Sequence, residues 1–119
     1  MGETTRWDAL PSERISDHIR RRMVWGEKLM LVRWEFARGG YVAMHRHPHE
    51  QVVVVESGRL KMNIAGEEVA LGPGDIRVIP PDTPHDAEVL EDARVMDVFS
   101  PPREDFLGDE GPGYLTHGR

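Results

Sequence analysis

Two histidines and a glutamine lie close together near the middle of the chain. His45 and His47 are separated by one residue, and Gln51 follows four positions after His47. On an extended strand, residues at this spacing project from the same face, so both imidazoles should point to one side. Farther along, His85 follows the proline-rich run 80–84. Imidazoles with a side-chain oxygen can bind a divalent transition metal, and we predict one metal site formed by His45, His47, Gln51 and His85.

Two neighbouring residues are left out of this predicted ligand set. His49 has the same parity as His45 and His47, but Pro48 interrupts the strand between them, since proline cannot donate to a sheet ladder. Glu50 is one residue away from Gln51. A shift of one residue sends a side chain to the opposite face of a strand, so Glu50 should point away from the metal.

Many short strands must position these side chains. Apolar or alternating segments are separated by turn signals, among them the run Gly-Pro-Gly-Asp at 72–75 and the dipeptide Glu-Asp at 91–92. We interpret Ser57-Gly58-Arg59 as a turn as well. The predicted strands are 19–25, 29–36, 51–56, 60–64, 68–71, 76–79, 87–90 and 93–99. This pattern, without long helical periodicity, predicts an all-β antiparallel barrel or jelly roll.

The length of 119 residues is typical of a single domain. We predict a barrel over residues 19–107, preceded by an arm at 1–18 for which helix and irregular structure both remain open. Residues 108–119 are rich in glycine and are predicted to form an irregular tail.

Composition excludes several classes of function. The net charge of −6 argues against nucleic acid as a partner. The absence of cysteine excludes thiol redox chemistry and disulfides. We find neither the apolar core of a signal peptide nor an apolar run long enough to span a membrane, so we expect no membrane partner and a cytoplasmic location.

The spacing around the histidine pair resembles a motif of a known family. The first cupin motif, G(X)5HXH(X)3–4E(X)6G, is matched by Gly39, His45, His47, Gln51 and Gly58, with Gln51 in the place of glutamate. Among small cupins, glutamine is a variant at this position. The resemblance implies a cupin jelly-roll barrel with the metal held as predicted above.

The second cupin motif, G(X)5PXG(X)2H(X)3N, is matched around the third histidine. It aligns with Gly74, Pro80, Asp82, His85 and Val89, and it departs from the family pattern at Asp82 and Val89. The short spacer between the two motifs is similar to that of compact, single-domain bacterial cupins.

A second group of residues lies near the end of the predicted barrel. An inward-facing Asp97 could act as a general acid or base, Phe99 shares its strand face, and Arg103 could bind a carboxylate. The alternatives are a surface aspartate, a core phenylalanine and an arginine paired with Glu104 or Asp105.

The run LEDARVMDVFSPPREDFL at 90–107 resembles the pectin-degradation cupins, which open or linearise 4,5-unsaturated galacturonate. In those proteins an Asp, a Phe and an Arg at this spacing line the pocket, which implies catalytic roles for Asp97, Phe99 and Arg103. We therefore expect an enzyme that converts a small unsaturated or keto sugar acid. A metal-dependent dioxygenase of a small organic substrate and a non-catalytic cupin that binds a sugar or other small ligand remain alternatives.

The metal and the assembly complete the sequence-based predictions. A neutral Gln51 leaves the full charge of a dication, which favours Lewis-acid chemistry, but the donor set accepts Ni, Fe, Mn, Zn, Co or Cu. We also predict a homodimer, because edge strands expose unpaired backbone that a symmetric partner can cover. The strand 19–25, with Trp7 upstream, is the candidate for crossing to the other subunit, and an arm folded on its own barrel is the alternative.

Overall fold

In the part of the chain that the structure describes, eight antiparallel strands form one sheet that surrounds an apolar interior. The structure, a computed structural model, describes residues 4–107 and 113–115. The strands are β1 Glu13–Ser16, β2 Ile19–Trp25, β3 Met30–Phe36, β4 Tyr41–His45, β5 Glu50–Ile64, β6 Glu67–Leu71, β7 Ile76–Ile79 and β8 His85–Ser100. Within the described residues the helical pieces are 3-10 turns at Trp7–Ala9, Glu104–Phe106 and Gly113–Leu115. The predicted all-β, antiparallel jelly roll is confirmed.

Strand β3 shows how alternation builds the core. Met30, Val32, Trp34 and Phe36 are buried, whereas the residues between them are half-buried or exposed. Trp34 stacks on Phe36 with ring centroids 5.5 Å apart. Burying each large apolar side chain contributes roughly 1.5–3 kcal/mol. The inward face of the sheet is therefore set by this packing, and the same face carries the polar side chains described below.

Two predicted turns are wrong, because β5 and β8 each continue through the positions where a reversal was expected. The pairing of these strands shifts register around Ser57 and Arg59, which face Arg94 and Glu91. Gly58 has a φ of +81°, and a Cβ at this position would lie 2.2 Å from the Asp92 carbonyl oxygen. The glycine therefore marks a bulge, where two long strands bend together and their backbones come into close contact.

The N-terminal segment folds onto the sheet of its own chain. Strand β1 pairs with β2, and β2 pairs along its full length with β3. Arg22 Nη1 donates to the carbonyl oxygens of Trp7 and Leu10, at 2.7 and 3.2 Å. Most of the predicted tail at 108–119 lies outside the described residues, and its described part is the 3-10 turn Gly113–Leu115.

Membrane crossing by a helix finds no support in the described part of the chain, where every helical segment is too short or too polar to span a bilayer. The cytoplasmic location stays a prediction.

Replacing Gly58 with alanine should lower the free energy of unfolding far more than the matched change Gly66→Ala. Both glycines have φ above +80°, so either alanine has a left-handed backbone at a cost of roughly 1–2 kcal/mol. Only at Gly58 does the added methyl meet backbone, whereas nothing lies within 4 Å at Gly66. Overpacking should add roughly 1–3 kcal/mol. Urea unfolding measures both losses, and equal losses would contradict the close contact at the bulge.

Candidate metal centre and pocket

Three histidines from two distant parts of the chain come together at one end of the sheet. Their candidate ligand nitrogens, in His45, His47 and His85, all lie within 4.8 Å of one another. Strands β4 and β8 are antiparallel and place His45 directly opposite His85, so their ring centroids are 4.2 Å apart. The centroid of His47 lies 5.1 Å from that of His85. The structure thus groups the histidines that the sequence motifs predicted as ligands.

The hydrogen bonds of the three rings leave one nitrogen of each ring free for a metal. In every ring Nδ1 lies within hydrogen-bond distance of a carbonyl oxygen, namely Ala43 O at 2.7 Å, His49 O at 3.1 Å and Thr83 O at 2.8 Å. A carbonyl oxygen only accepts, so Nδ1 carries the proton and Nε2 keeps its lone pair. Nε2 of His85 is buried and has no partner among the described residues. This is the arrangement found in metal-binding histidines.

The pKa values of the rings are consistent with neutral imidazoles. Burial lowers the pKa of His45 to about 3 and that of His47 to about 4. Burial also lowers the pKa of His85, and the positive charge of Arg103 lowers all three further. A metal therefore has no proton to displace from these rings at neutral pH.

Gln51 lies beside the histidines, as the motif predicted. It is buried on β5, and its Oε1 is 3.1 Å from His47 Nε2. Because the proton of His47 is on Nδ1, the lone pair of its Nε2 faces a lone pair of Gln51 Oε1. A cation bound by both atoms would stabilise this arrangement. The side-chain amide of Gln51 lies close enough to Asp97 to lower its pKa. The residues present fit a divalent metal, and the role of Gln51 as fourth ligand stays a prediction.

Asp97 faces the interior and is buried on β8. Its Oδ2 accepts a hydrogen bond of 2.8 Å from Trp34 Nε1, and its Oδ1 is buried without a partner among the described residues. Burial raises the pKa of Asp97 to about 6, although Gln51, Trp34 and the charge of Arg103 act in the opposite direction. The surface location considered as an alternative is excluded, and a buried carboxyl of this kind can hold or release a proton near neutral pH.

Arg103 is buried at the same pocket but already has an acidic partner. Its Nε and Nη2 donate to the two carboxylate oxygens of Asp105, at 2.9 and 2.6 Å. Nη2 also donates to the hydroxyl of Tyr114, and the guanidinium carbon lies 4.1 Å from the ring centre of Phe106. The alternative in which Arg103 pairs with Asp105 is thus present in the structure. Nη1 makes no hydrogen bond within the described residues, so one donor group remains for a ligand.

One cavity is lined by His45 and His85 and also by Asp97 and Arg103. Small-molecule sites are mostly apolar with a few polar groups. Phe99 lines the cavity opposite Gln51 on the neighbouring strand, and aliphatic core residues supply much of the remaining wall. The predicted residues other than His47 all line this cavity, and His47 contributes through its contact with Gln51.

Trp34 and Tyr114 line the pocket but are not among the site residues predicted from the sequence. Trp34 lies in the predicted strand 29–36, and no local pattern indicates that its indole binds Asp97. Tyr114 was assigned to an irregular tail, yet its ring stacks on His45 with centroids 3.7 Å apart. Its one signal in the sequence is an isolated aromatic residue in a glycine-rich segment. His49 contributes its carbonyl oxygen to His47 and is not in the histidine cluster, in agreement with its exclusion from the ligand set.

Comparison with known proteins identifies relatives with the same architecture. Residues 32–99 match the family described as "Cupin domain". The chain is 36% identical over 103 residues to the pectin degradation protein KdgF of Dickeya dadantii, a match that covers 84% of this chain and 94% of that protein.

Two solved structures are similar over most of the chain. KdgF from Halomonas sp. superposes with a TM-score of 0.84 at 33% identity, covering 89% of this chain and 99% of that one. An RmlC-like cupin from Shewanella frigidimarina also gives a TM-score of 0.84, at 31% identity, covering 89% of this chain and 96% of the other. Because the family match spans more than half of the sequence and these relatives align almost end to end, the chain belongs to the cupin family.

Proposed function

We propose that this protein is a metal-dependent enzyme that converts a small unsaturated or keto sugar acid by opening or isomerising a uronate. The observation that carries the proposal is Asp97, a buried carboxyl with one unpaired oxygen that lines the same cavity as His45, His85 and Gln51. An acid–base group beside a metal-binding cluster is suited to moving a proton on a substrate that the metal polarises. The relatives named for pectin degradation support the substrate class.

The residues of the chain supply the proton transfer. Trp34 holds Oδ2 of Asp97 in place, so Oδ1 is the atom that takes or gives the proton. A pKa of about 6 lets the carboxyl act in both directions near neutral pH. The apolar surroundings that raise this pKa also exclude bulk water from the reacting atoms.

Binding and orientation fall to the other lining residues. Nη1 of Arg103 is positioned to donate to the carboxylate of a sugar acid, which neutral sugars lack. The ring of Phe99 is almost fully buried and can pack against the apolar face of a sugar. A divalent metal held by His45, His47, His85 and Gln51 would act as the Lewis acid on a substrate oxygen. Its identity among the first-row metals is left open by this donor set.

The outer face of the sheet supports the proposed homodimer. A row of aliphatic side chains crosses five neighbouring strands in register, in the order Val24, Leu31, Val98, Val52 and Val78. Beside this row, Ile76 is 65% exposed. An exposed apolar face can pack against the same face of a second copy about a two-fold axis. We propose that the second copy packs on this face, and the crossing of strand β2 to the other subunit stays a prediction.

Removing a histidine of the cluster should remove the metal. In His85→Ala, the buried free Nε2 is lost, and we expect the ratio of metal to protein to fall by at least about tenfold, the size of effect that even supporting residues of metal sites show. His18→Ala, an exposed histidine outside the cluster, is the matched control and should keep its metal. Elemental analysis of tag-free protein gives the ratio. A folded His85→Ala protein with undiminished metal would refute the site.

Replacing Asp97 with asparagine should lower turnover of unsaturated galacturonate by roughly 10²–10⁴-fold, because the amide cannot exchange a proton. Metal content should not change, since Asp97 is not a proposed ligand. The control is Asp17→Asn, an exposed carboxylate. Loss of the substrate's ultraviolet absorbance, followed anaerobically and in air, measures the rate.

The same assay separates the alternatives. Turnover that requires oxygen would favour the dioxygenase. A metal-loaded native protein with no turnover under either condition would favour the binding cupin and refute the proposed reaction.

A charge placed on the apolar outer face should dissociate the dimer. Ile76→Lys buries an ammonium group in the proposed interface, which is strongly unfavourable without a partner charge. The control is Leu90→Lys, which changes another exposed aliphatic residue that lies outside this row. Light scattering at micromolar concentration should give a dimer for the native protein and the control and a monomer for Ile76→Lys. A native monomer would contradict the proposal, as would a dimer that survives the substitution.

A further inference from the structure

Tyr114 is held against the candidate metal centre by the stacking of its ring and by the burial of the next residue. Its ring is stacked on His45 with centroids 3.7 Å apart and an angle of 6° between the planes. The next residue, Leu115, is 4% exposed and belongs to the hydrophobic core. The 3-10 turn Gly113–Leu115 is therefore anchored on the barrel, and it places Tyr114 in the wall of the cavity that His45 and Arg103 also line.

The hydrogen bonds of Arg103 define which donors are still available at this end of the cavity. Nε donates to Asp105, and the two hydrogens of Nη2 go to Asp105 and to the Tyr114 hydroxyl oxygen. These bonds use all the hydrogens of Nε and Nη2. Both hydrogens on Nη1 remain free within the described residues. Asp105 thus fixes the guanidinium and balances its charge. It also occupies Nε and Nη2, so a substrate carboxylate cannot bind to these two donors.

The hydroxyl of Tyr114 can serve as a second donor in place of the Arg103 N–H groups that are bonded to Asp105. Its hydroxyl oxygen accepts from Arg103, and a phenol at neutral pH keeps its own hydrogen. That hydrogen makes no bond to a described residue. A carboxylate has two oxygens, which a pair of neighbouring donors binds with higher strength and better-defined orientation than one donor does. The O–H of Tyr114 and the N–H groups of Arg103 Nη1 form such a pair.

We propose that Tyr114 and Arg103 together form the binding site for the carboxylate of the substrate, so that Tyr114 sets the preference for acids over neutral sugars. The inference rests on the proposed function, because it assumes a sugar-acid substrate, but it concerns binding and not the reaction. Stacking on His45 places the phenol beside the metal cluster, and this orients the sugar ring with its carboxylate at Arg103 and its remaining oxygens towards the histidines.

The test compares Tyr114→Phe with native protein in calorimetric titrations of the metal-loaded form. Phenylalanine keeps the ring that stacks on His45 and loses only the hydroxyl. The probes are D-galacturonate and D-galactose, which differ in the carboxylate. Loss of one hydrogen bond to a charged group should weaken galacturonate binding about tenfold or more. Galactose binding and metal content should not change. Tyr41→Phe, which removes a hydroxyl bonded to Asp86 at 3.0 Å, is the control and should bind galacturonate like the native protein.

The outcomes distinguish the proposed role of Tyr114 in binding from the proposed reaction. Equal galacturonate affinity in Tyr114→Phe and native protein would overturn the role of Tyr114, as would native protein that binds galacturonate no better than galactose. Native protein that binds galacturonate through Tyr114 but shows no turnover of unsaturated galacturonate would support this inference and refute the proposed reaction.

Discussion

The antiparallel pairing of β5 with β8 is the constraint on which the rest of the structure depends. Its register sets Gln51 opposite Phe99 and Val53 opposite Asp97, so a candidate ligand and the candidate acid–base group face the same interior. At the other end of the pair, Ile64 lies opposite His85, which begins β8. A slip of one residue would turn every one of these side chains to the outer face. The bulge at Gly58 lets two such long strands bend around one core without losing their pairing.

Burial in this interior shifts the pKa values of the acidic and basic groups in the pocket so that their neutral forms are favoured. It raises the pKa of Asp97 and lowers the pKa values of His45 and His47, so each group moves towards its neutral form. Arg103 stays charged, since Asp105 forms a two-point ion pair with it. The pocket therefore combines neutral metal donors and a proton-exchanging carboxyl with one buried guanidinium whose charge Asp105 balances.

The residues that match the family and the residues proposed to bind the substrate carboxylate lie in different parts of the chain. The family match ends at residue 99, and Arg103, Asp105 and Tyr114 all follow it. These residues reach the pocket from the segments after β8 and make contact with each other and with His45. A jelly roll can host many reactions, and the groups proposed to distinguish one organic acid from another lie in the segments that follow β8.

The sequence by itself determined the strand content and the histidines of the cluster, because the apolar pattern of a strand and the spacing of a motif are local properties. Only the tertiary structure decided that Gly58 marks a bulge and not a reversal, since this depends on the backbone of Asp92 and Ala93 across the sheet. It likewise decided that Trp34 binds Asp97 and that Tyr114 stacks on His45. Those contacts join residues far apart in the chain, and no local pattern encodes a register or a packing partner.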